Sequence, residues 1–434
     1  MSPSTLEKVH AQLTGEDDGR VCRDIPEEAC RHQPKNFFLH VASLALTKGG
    51  DSLVDPKLVL SWLLPALGAP TAMVGLLVPI REAGSLLPQL ITAGAIRRLP
   101  QRKWAWAAGS LVQGLAAAGI GLVAIRMEGA AAGWAILALL AVFAVARSVC
   151  SVSYKDVLGK TVSKSTRGTT TGSAATVGGL VALLFGLALL TGLLPLEVPV
   201  IAGALFVAAG FWLAAATMFT SIAETAGATE GGGTALRVAI QNLKLLKTDA
   251  QLRRFIYTRA LLTATALAPP FLLITSFTQG DDRLARLGPF VIASALAAML
   301  STYVWGRLAD RSSRVVLARA GLIGAVAVGA GAIAGSVGLP EALGVWVYPA
   351  LLFIVMIAHQ GVRIGRATHL VDMATPDTRL AYTAISNTTI GLILVLGGAF
   401  AIVESLAGPA LVLAMFAAMA LAAAFAARGL EQVQ

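Results

Sequence analysis

Long apolar runs separated by short polar segments fill the chain from about residue 36 to its end. Each run approaches the roughly 20 residues that an α-helix needs to cross a bilayer. Glycine and proline pairs inside the runs do not argue against spans, because neighbouring membrane helices satisfy the backbone that they free. The pattern predicts an all-α membrane protein with twelve spans, at residues 38–62, 71–93, 104–125, 133–155, 169–191, 199–221, 255–277, 287–306, 316–337, 343–364, 383–404 and 408–428.

Basic residues gather in alternate connections between these spans, which fixes an orientation. The bases lie within residues 97–103, 160–167, 237–254, 307–319 and 366–379. Because loops rich in lysine and arginine stay in the cytoplasm, both chain termini are predicted to be cytoplasmic. The connections on the other side carry Glu197, Glu341 and Glu404, together with a charge cluster at residues 281–286.

One polar connection, from Gly306 to Arg314, has a distinctive sequence. A glycine lets two helix ends approach, an acid complements a helix N-terminus, and arginines hold the loop inside. The order G-x-L-x-D-R-x-x-R resembles the signature loop of the major facilitator superfamily, which joins the second and third helices of a six-helix half. Gating residues are therefore predicted at Gly306, Asp310, Arg311 and Arg314.

The chain carries an internal repeat with an offset of 212 residues. Gly94 precedes Gly306 by this offset and again closes an apolar run, but Arg98 replaces the acid of Asp310. The same offset relates three further pairs: Arg167 and Arg379, Gly179 and Gly391, and Gly186 and Gly398. A constant offset implies two similar halves in parallel orientation, as the resemblance also implies. Gly94 and Arg98 are thus the predicted gating residues of the first half.

The resemblance divides the chain into five parts. We predict a cytoplasmic tail at 1–36, a six-helix half at 37–222, a cytoplasmic linker at 223–254, a second six-helix half at 255–428 and a short cytoplasmic tail at 429–434. The linker combines a glycine run with a basic helical pattern, which suits a segment lying on anionic headgroups.

Composition agrees with a membrane location. Hydrophobic residues make up 56% of the chain and charged residues 13%, with a net charge of +10. Because the bases flank apolar runs, the charge reflects topology, and no nucleic-acid partner is expected. The absence of a signal peptide and the alanine-rich spans favour a bacterial inner membrane, and we expect a monomer.

The tail and the spans offer little catalytic chemistry. Cys22, Cys30 and His32 match no standard metal spacing, so we expect reduced thiols and no metal or other cofactor. No Walker, zinc-protease or dinucleotide motif occurs in the sequence. The chain is therefore not predicted to be an enzyme or an ATP-driven pump.

Ionisable residues at membrane depth are the informative ones, because each is costly unless it is paired or hydrated. The first span carries Asp51 and Asp55, and the second carries Arg81 and Glu82 near the bilayer centre. We predict that these four form a proton-coupling group, with Asp51 or Asp55 exchanging between Arg81 and a proton. Asp51 is the first choice because its depth matches that of Arg81, and Glu82 is the reserve candidate. Asp55 precedes Pro56, and in the alternative interpretation it satisfies backbone freed by that proline.

The fourth and tenth spans carry Arg147 and, at the repeat offset, His359, with Arg363 one turn further. The resemblance implies that the first, fourth, seventh and tenth helices line a central cavity, so these three residues are the predicted substrate ligands. The alternative is that Arg147, Arg363, Lys155 and Arg259 extend to the cytoplasmic surface. His369 is predicted to lie in a solvated loop.

These patterns predict a secondary transporter that moves a small anionic or zwitterionic solute by alternating access, with proton coupling. Two alternatives stay open. One is a multidrug efflux antiporter, which would share the fold and the loop. The other is a membrane assembly or sensing protein that has the fold without transport.

Overall fold

The computed structural model describes residue 25 and residues 30–227, 229, 245–277, 287–375 and 378–433. Every regular element within these ranges is helical. In chain order the α-helices are α1 Gln33–Leu53, α2 Val59–Ala66, α3 Val74–Leu86, α4 Gln89–Arg97, α5 Lys103–Arg126, α6 Gly129–Thr161, α7 Arg167–Leu190, α8 Val198–Thr220, α9 Leu245–Thr248, α10 Ala250–Leu262, α11 Ala264–Phe277, α12 Leu287–Ala309, α13 Ser313–Val337, α14 Glu341–Met373, α15 Arg379–Gly397, α16 Phe400–Ala407 and α17 Pro409–Arg428.

The predicted all-α membrane fold is confirmed. Ten helical segments of the described chain are long and apolar enough to cross a membrane, and residues 71–97, bent by 40°, bring the number to eleven. The helices α1 and α2 occupy the remaining predicted position, the first span. Polar and charged side chains lower the mean hydropathy of this span, so it is not among the ten segments.

The first span is interrupted at Val54–Leu58, between α1 and α2. Pro56 lacks an amide hydrogen, and its ring disfavours helical backbone at the preceding residue. The Oδ1 of Asp55 accepts the backbone N–H of Lys57 at 2.6 Å, and the Ser61 hydroxyl donates to the Pro56 carbonyl at 2.7 Å. Asp55 therefore supports the interruption, in line with the alternative interpretation.

Small residues let α1 pack closely within the first half. A Cβ on Gly50 would lie 2.9 Å from the indole of Trp212 on α8. A Cβ on Gly178 of α7 would lie 2.5 Å from the Cβ of Lys48. Because these approaches allow no larger residue without movement, α1, α7 and α8 form one tightly packed group.

The two halves meet along α7 and α12, which diverge along their length. A Cβ on Gly288 would lie 2.8 Å from the backbone nitrogen of Leu190, and a Cβ on Gly186 would lie 2.8 Å from Ile292. Nearer the start of α7 the gap widens: a Cβ on Gly172 would meet nothing within 4 Å. We call the face where α1 begins and α17 ends the terminal face. Along α7 and α12 the halves are thus closer at the opposite face than near the terminal face. A second contact between the halves lies along α3 and α15, where a Cβ on Gly391 would lie 2.8 Å from the side chain of Leu87.

The connection from Gly306 to Arg314 forms a tight turn between α12 and α13. Ser312, rather than Asp310, is the N-cap of α13, and its side chain accepts the N–H of Val315 at 3.4 Å. A Cβ on Gly306 would meet nothing within 4 Å, so the expected close approach of helices at this glycine is not seen.

Two loop predictions are wrong because the helices are longer than the apolar runs. The helix α14 continues to Met373, and His369 is buried against Phe255 with a ring separation of 5.3 Å. The His369 Nδ1 lies 2.9 Å from the Ser313 hydroxyl. Glu404 lies within α16 and is also buried.

Several predicted features lie outside the described residues, including Cys22, most of the linker and the charge cluster at 281–286. Cys30 is disulfide-bonded, so the expectation of reduced thiols is wrong at this residue. Within the described ranges, no group of three or more His, Cys, Asp or Glu side chains is arranged to hold a metal ion.

Candidate functional site

A cavity of about 240 Å³ lies between the two halves. Its walls come from the interrupted first span and from α3, α6, α10, α11, α14 and α15. Charged and imidazole side chains dominate the lining. They are Lys57, Arg81, Glu82, Arg147, Arg259, His359, Arg363 and Arg366.

Asp51 joins two of the cavity arginines from the first half. Its Oδ1 lies 3.0 Å from Nη2 of Arg81 and 2.6 Å from Nη1 of Arg147, and its Oδ2 also pairs with Arg147. The Arg81 guanidinium also sits over the ring of Phe143, 4.9 Å from the centroid. Arg81 is thereby fixed by a carboxylate and an aromatic face, whereas the Arg147 side chain keeps 39% of its surface exposed.

Lys57 links the first half to the second. Its Nζ lies 3.2 Å from Nε2 of His359, and Nδ1 of His359 lies 3.3 Å from the hydroxyl of Thr265. With Lys57 as an ammonium group, which only donates, Nε2 is assigned as the acceptor. The imidazole is then neutral, with its proton on Nδ1 directed to Thr265.

The second half contributes three arginines, of which Arg259 is the most enclosed. Its Nη1 donates to the Ser386 hydroxyl at 2.6 Å and its Nη2 to Oδ1 of Asn387 at 3.0 Å. Its buried Nε has no hydrogen-bond partner in the described structure. Asn387 in turn donates to Gln89 of the first half at 3.4 Å. Arg259 is therefore held by neutral groups beside a contact between the halves.

Arg363 and Arg366 lie on the same face of α14, because they are three residues apart. Arg363 donates to Gln360 at 3.4 Å. Neither arginine has a carboxylate within salt-bridge distance among the described residues. Glu82, likewise, has no lysine, arginine or histidine within that distance. The cavity therefore combines one tight ionic cluster around Asp51 with several charges that lack an ionic partner.

The predicted ligands Arg147, His359 and Arg363 all line this cavity, as do Arg81 and Glu82 of the predicted coupling group. Asp51 adjoins it through its arginines, and Asp55 serves the interruption of the first span. Lys155 is exposed, in agreement with the surface alternative. For Arg259, that alternative is wrong, because its side chain is buried in the cavity wall.

Three bases of the cavity were not predicted to line it: Lys57, Arg366 and Arg259, of which Arg259 was considered only as a surface residue. The spacing of His359, Arg363 and Arg366 at positions i, i+4 and i+7 places all three on one helical face and was the available signal for Arg366. The sequence indicated the position of Lys57 more weakly. Pro56 interrupts the helix, and the polar backbone exposed there is tolerated at membrane depth where it is buried in protein or lines a cavity.

The predicted gating residues lie in two unlike turns. Asp310 and Arg311 are exposed, and neither has an ion pair among the described residues. Arg314 donates to the Leu430 carbonyl at 3.3 Å. In the first half, Gly94 is half-buried in α4 and Arg98 is the exposed residue that ends it.

Four residues join α5, α6 and the end of α8 at the terminal face of the first half. Arg102 pairs with Asp156, and Lys160 lies 2.7 Å from Asp156 and 3.1 Å from Glu224. Glu224 also accepts the backbone N–H groups of Arg102 and Lys103 at 3.0 and 2.8 Å. This cluster joins helices within the first half and does not contribute to the cavity.

Taken together, these features define a multi-pass membrane protein in which a charged, solute-sized cavity lies between two helical halves. No family model matches the chain, and no curated protein matches it.

Solved structures of transporters, in contrast, share its fold. One is the nucleoside transporter NupG, with a TM-score of 0.64 and 12% identity over 91% of this chain and 99% of that one. A POT family transporter in complex with 5-aminolevulinic acid has a TM-score of 0.68 and 10% identity, covering 93% and 97%. The xylose transporter XylE from E. coli, in an inward-open conformation, has a TM-score of 0.64 and 11% identity, covering 91% and 95%. The chain therefore shares the fold of these transporters, the major facilitator fold, as predicted.

Proposed function

We propose that this protein is a secondary active transporter that moves a small organic anion or zwitterion across a bacterial inner membrane by alternating access. The observation that carries the proposal is the cavity between the halves, whose bases outnumber its acids. Because charges at membrane depth are costly, such a cavity is retained where a solute of opposite charge occupies it. The proposal assigns no catalytic activity to the protein.

The arrangement of the halves supports alternating access. The contact between α7 and α12 is close at the opposite face and is absent at Gly172 near the terminal face, which supports a state open on the terminal side. The positive-inside rule makes that side cytoplasmic, with both chain termini there. In the second state the halves would close over the terminal face and open at Gly186 and Gly288.

Proton coupling through Asp51 is part of the proposal. The carboxylate is shared by Arg81, which is largely enclosed, and Arg147, which is partly exposed to the cavity. When an anionic substrate attracts Arg147, Asp51 loses one of its two partners and binds a proton, because an underpaired carboxylate is unfavourable away from water. Release of the substrate returns Arg147 to Asp51 and displaces the proton.

The POT family structure that shares the fold holds 5-aminolevulinic acid. A zwitterion of that kind would suit this cavity as well, with its carboxylate at the arginines and its amino group at Glu82. A cationic drug would face six lysine and arginine side chains, which weighs against the multidrug alternative. A sensing protein without transport would have no need of the unpaired bases.

The test is a thermal-shift screen of purified protein followed by counterflow in proteoliposomes. A substrate that binds the folded state raises the melting temperature. We expect organic anions or zwitterions to do so, and the same compounds to drive exchange of a labelled substrate. Stabilisation by cationic drugs alone would favour the efflux alternative. Binding without any exchange would favour a sensing protein.

A further inference from the structure

The positive charge of the cavity is unevenly divided between the halves. The first half contributes three bases to the lining, and two acids, Asp51 and Glu82, lie with them. The second half contributes Arg259, Arg363 and Arg366, and no acid of this half is among the lining residues. With His359 neutral, the six lining bases outnumber Glu82 and the adjoining Asp51 by a formal +4. Lys48 and Asp55, which lie next to the same charges, offset each other and leave this balance unchanged.

Most of this surplus belongs to side chains without an ionic partner. Arg81 and Arg147 share Asp51, whereas Arg259 is held by the neutral groups of Ser386 and Asn387. Arg366 has no hydrogen bond or ion pair in the described structure. When the halves close, these guanidinium groups lose water, and each unpaired charge then costs several kcal/mol. Closure therefore requires negative charge from the substrate.

A single negative charge would neutralise only part of the surplus and would leave several bases unpaired in the closed cavity. Guanidinium groups bind carboxylate and phosphate oxygens through paired hydrogen bonds, so three of them present enough donors for a group with several oxygens. The volume of about 240 Å³ leaves room only for a small molecule.

We propose that the substrate is a compact organic dianion, of the phosphate-monoester or dicarboxylate kind, whose negative charges face Arg147 and the arginines of the second half. This inference rests on the proposed function and narrows its substrate class. Arg366 is the selectivity residue in this arrangement: it adds charge to the cavity and holds no other part of the protein. Glu82 accommodates any positive or hydroxyl group at the other end of the substrate.

The test compares two pairs of probes that differ in charge, and the first pair differs little in size. Succinate and butyrate have four carbons each, with two charges and one charge at pH 8. Glycerol 3-phosphate and glycerol form the second pair. Isothermal titration and thermal shift are measured for the wild type, Arg366→Gln, Arg366→Lys and the control Arg319→Gln. Arg319 is an exposed base of α13 that does not line the cavity.

We expect at least one dianion to bind about 30-fold more tightly than its partner probe, the ratio that about 2 kcal/mol of additional charge pairing gives. Arg366→Gln should collapse this ratio while keeping the wild-type melting temperature without ligand. Arg366→Lys should keep most of the ratio, and Arg319→Gln should keep all of it. Binding of succinate but not glycerol 3-phosphate would assign the dicarboxylate form, and the reverse result the phosphate form.

Equal binding of butyrate and succinate, with no preference for the phosphate, would overturn the dianion inference and leave anion transport standing. A ratio unchanged by Arg366→Gln would overturn the role of this residue. If none of the four probes binds, the inference fails, and binding of tetraphenylphosphonium in the same titration would overturn anion transport as well.

Discussion

The ionic cluster at Asp51 makes the sharpest prediction. In Asp51→Asn, the guanidinium groups of Arg81 and Arg147 lose their shared carboxylate and face each other unpaired. Removing one partner of a buried ion pair costs about 3 to 5 kcal/mol. The Arg147 side chain is 39% exposed and is partly stabilised by water. We therefore expect the lower end of the range, about 3 kcal/mol, which for a chain of this length corresponds to a fall of about 3 °C in melting temperature.

The functional effect should differ from simple loss of protein. An asparagine cannot exchange a proton, so uptake driven by a pH gradient should be abolished in proteoliposomes. Exchange of labelled for unlabelled substrate needs no net proton movement and should persist. The double variant Asp51→Asn/Arg147→Gln should recover part of the lost melting temperature, since it removes one of the two stranded charges.

The reference variant is Asp55→Asn, which removes an acid that belongs neither to the ionic cluster nor to the cavity lining. It should keep gradient-driven uptake if Asp51 alone carries the proton. Undiminished gradient-driven uptake in Asp51→Asn would refute the coupling scheme. A melting temperature equal to that of the wild type would refute the energetic argument, whatever the transport result.

Three further predictions follow from other parts of the molecule. Arg147→Ala should weaken binding of the anionic substrate by about 2 to 5 kcal/mol in a titration, and unaltered affinity would return Arg147 to a surface role. Asp310→Asn should leave the melting temperature unchanged but slow transport severely, because we expect this exposed acid to bind a neighbouring helix in the other access state. Arg98→Ala should slow transport much less. Equal transport rates in the wild type and Asp310→Asn would contradict this role of Asp310. Gly288→Ala should disfavour contact between the halves at the opposite face and increase chemical labelling of the protein from that side. Gly203→Ala should not, because a Cβ on Gly203 would meet nothing within 4 Å. Identical labelling of the two variants would contradict the packing argument.

Hydropathy and the repeat were sufficient for the architecture. A membrane span needs a minimum length of apolar sequence, so the run lengths predicted each span. The constant offset between Gly94 and Gly306 predicted the two halves, because parallel repeats keep their loops in register. The interruption at Pro56 was visible in the sequence as well, but hydropathy averages over such a residue and gave one continuous span.

The cavity was predicted only in part, for two physical reasons. Distance along a helix estimates the depth of a residue but not the direction of its side chain, so Arg259 could not be assigned to a cavity or a surface. Apolar length also underestimates a helix that continues beside water. This is why α14 runs to Met373, and why Arg366 and His369 were expected in a loop. Contacts between distant helices, such as Lys57 with His359, leave no mark in a single sequence.

The close approach of α7 and α12 at Gly186 and Gly288 lies far from the terminal face. From Gly186 back to Gly168, α7 is about 27 Å long at 1.5 Å per residue. While this contact holds, a rotation of about 10° about it would move the terminal end by about 5 Å, without breaking a hydrogen bond within either helix. The width of the mouth is then governed by residues at the other end of the protein. Changes in side-chain size at these glycines would alter the amplitude of transport motions while leaving every substrate contact in place.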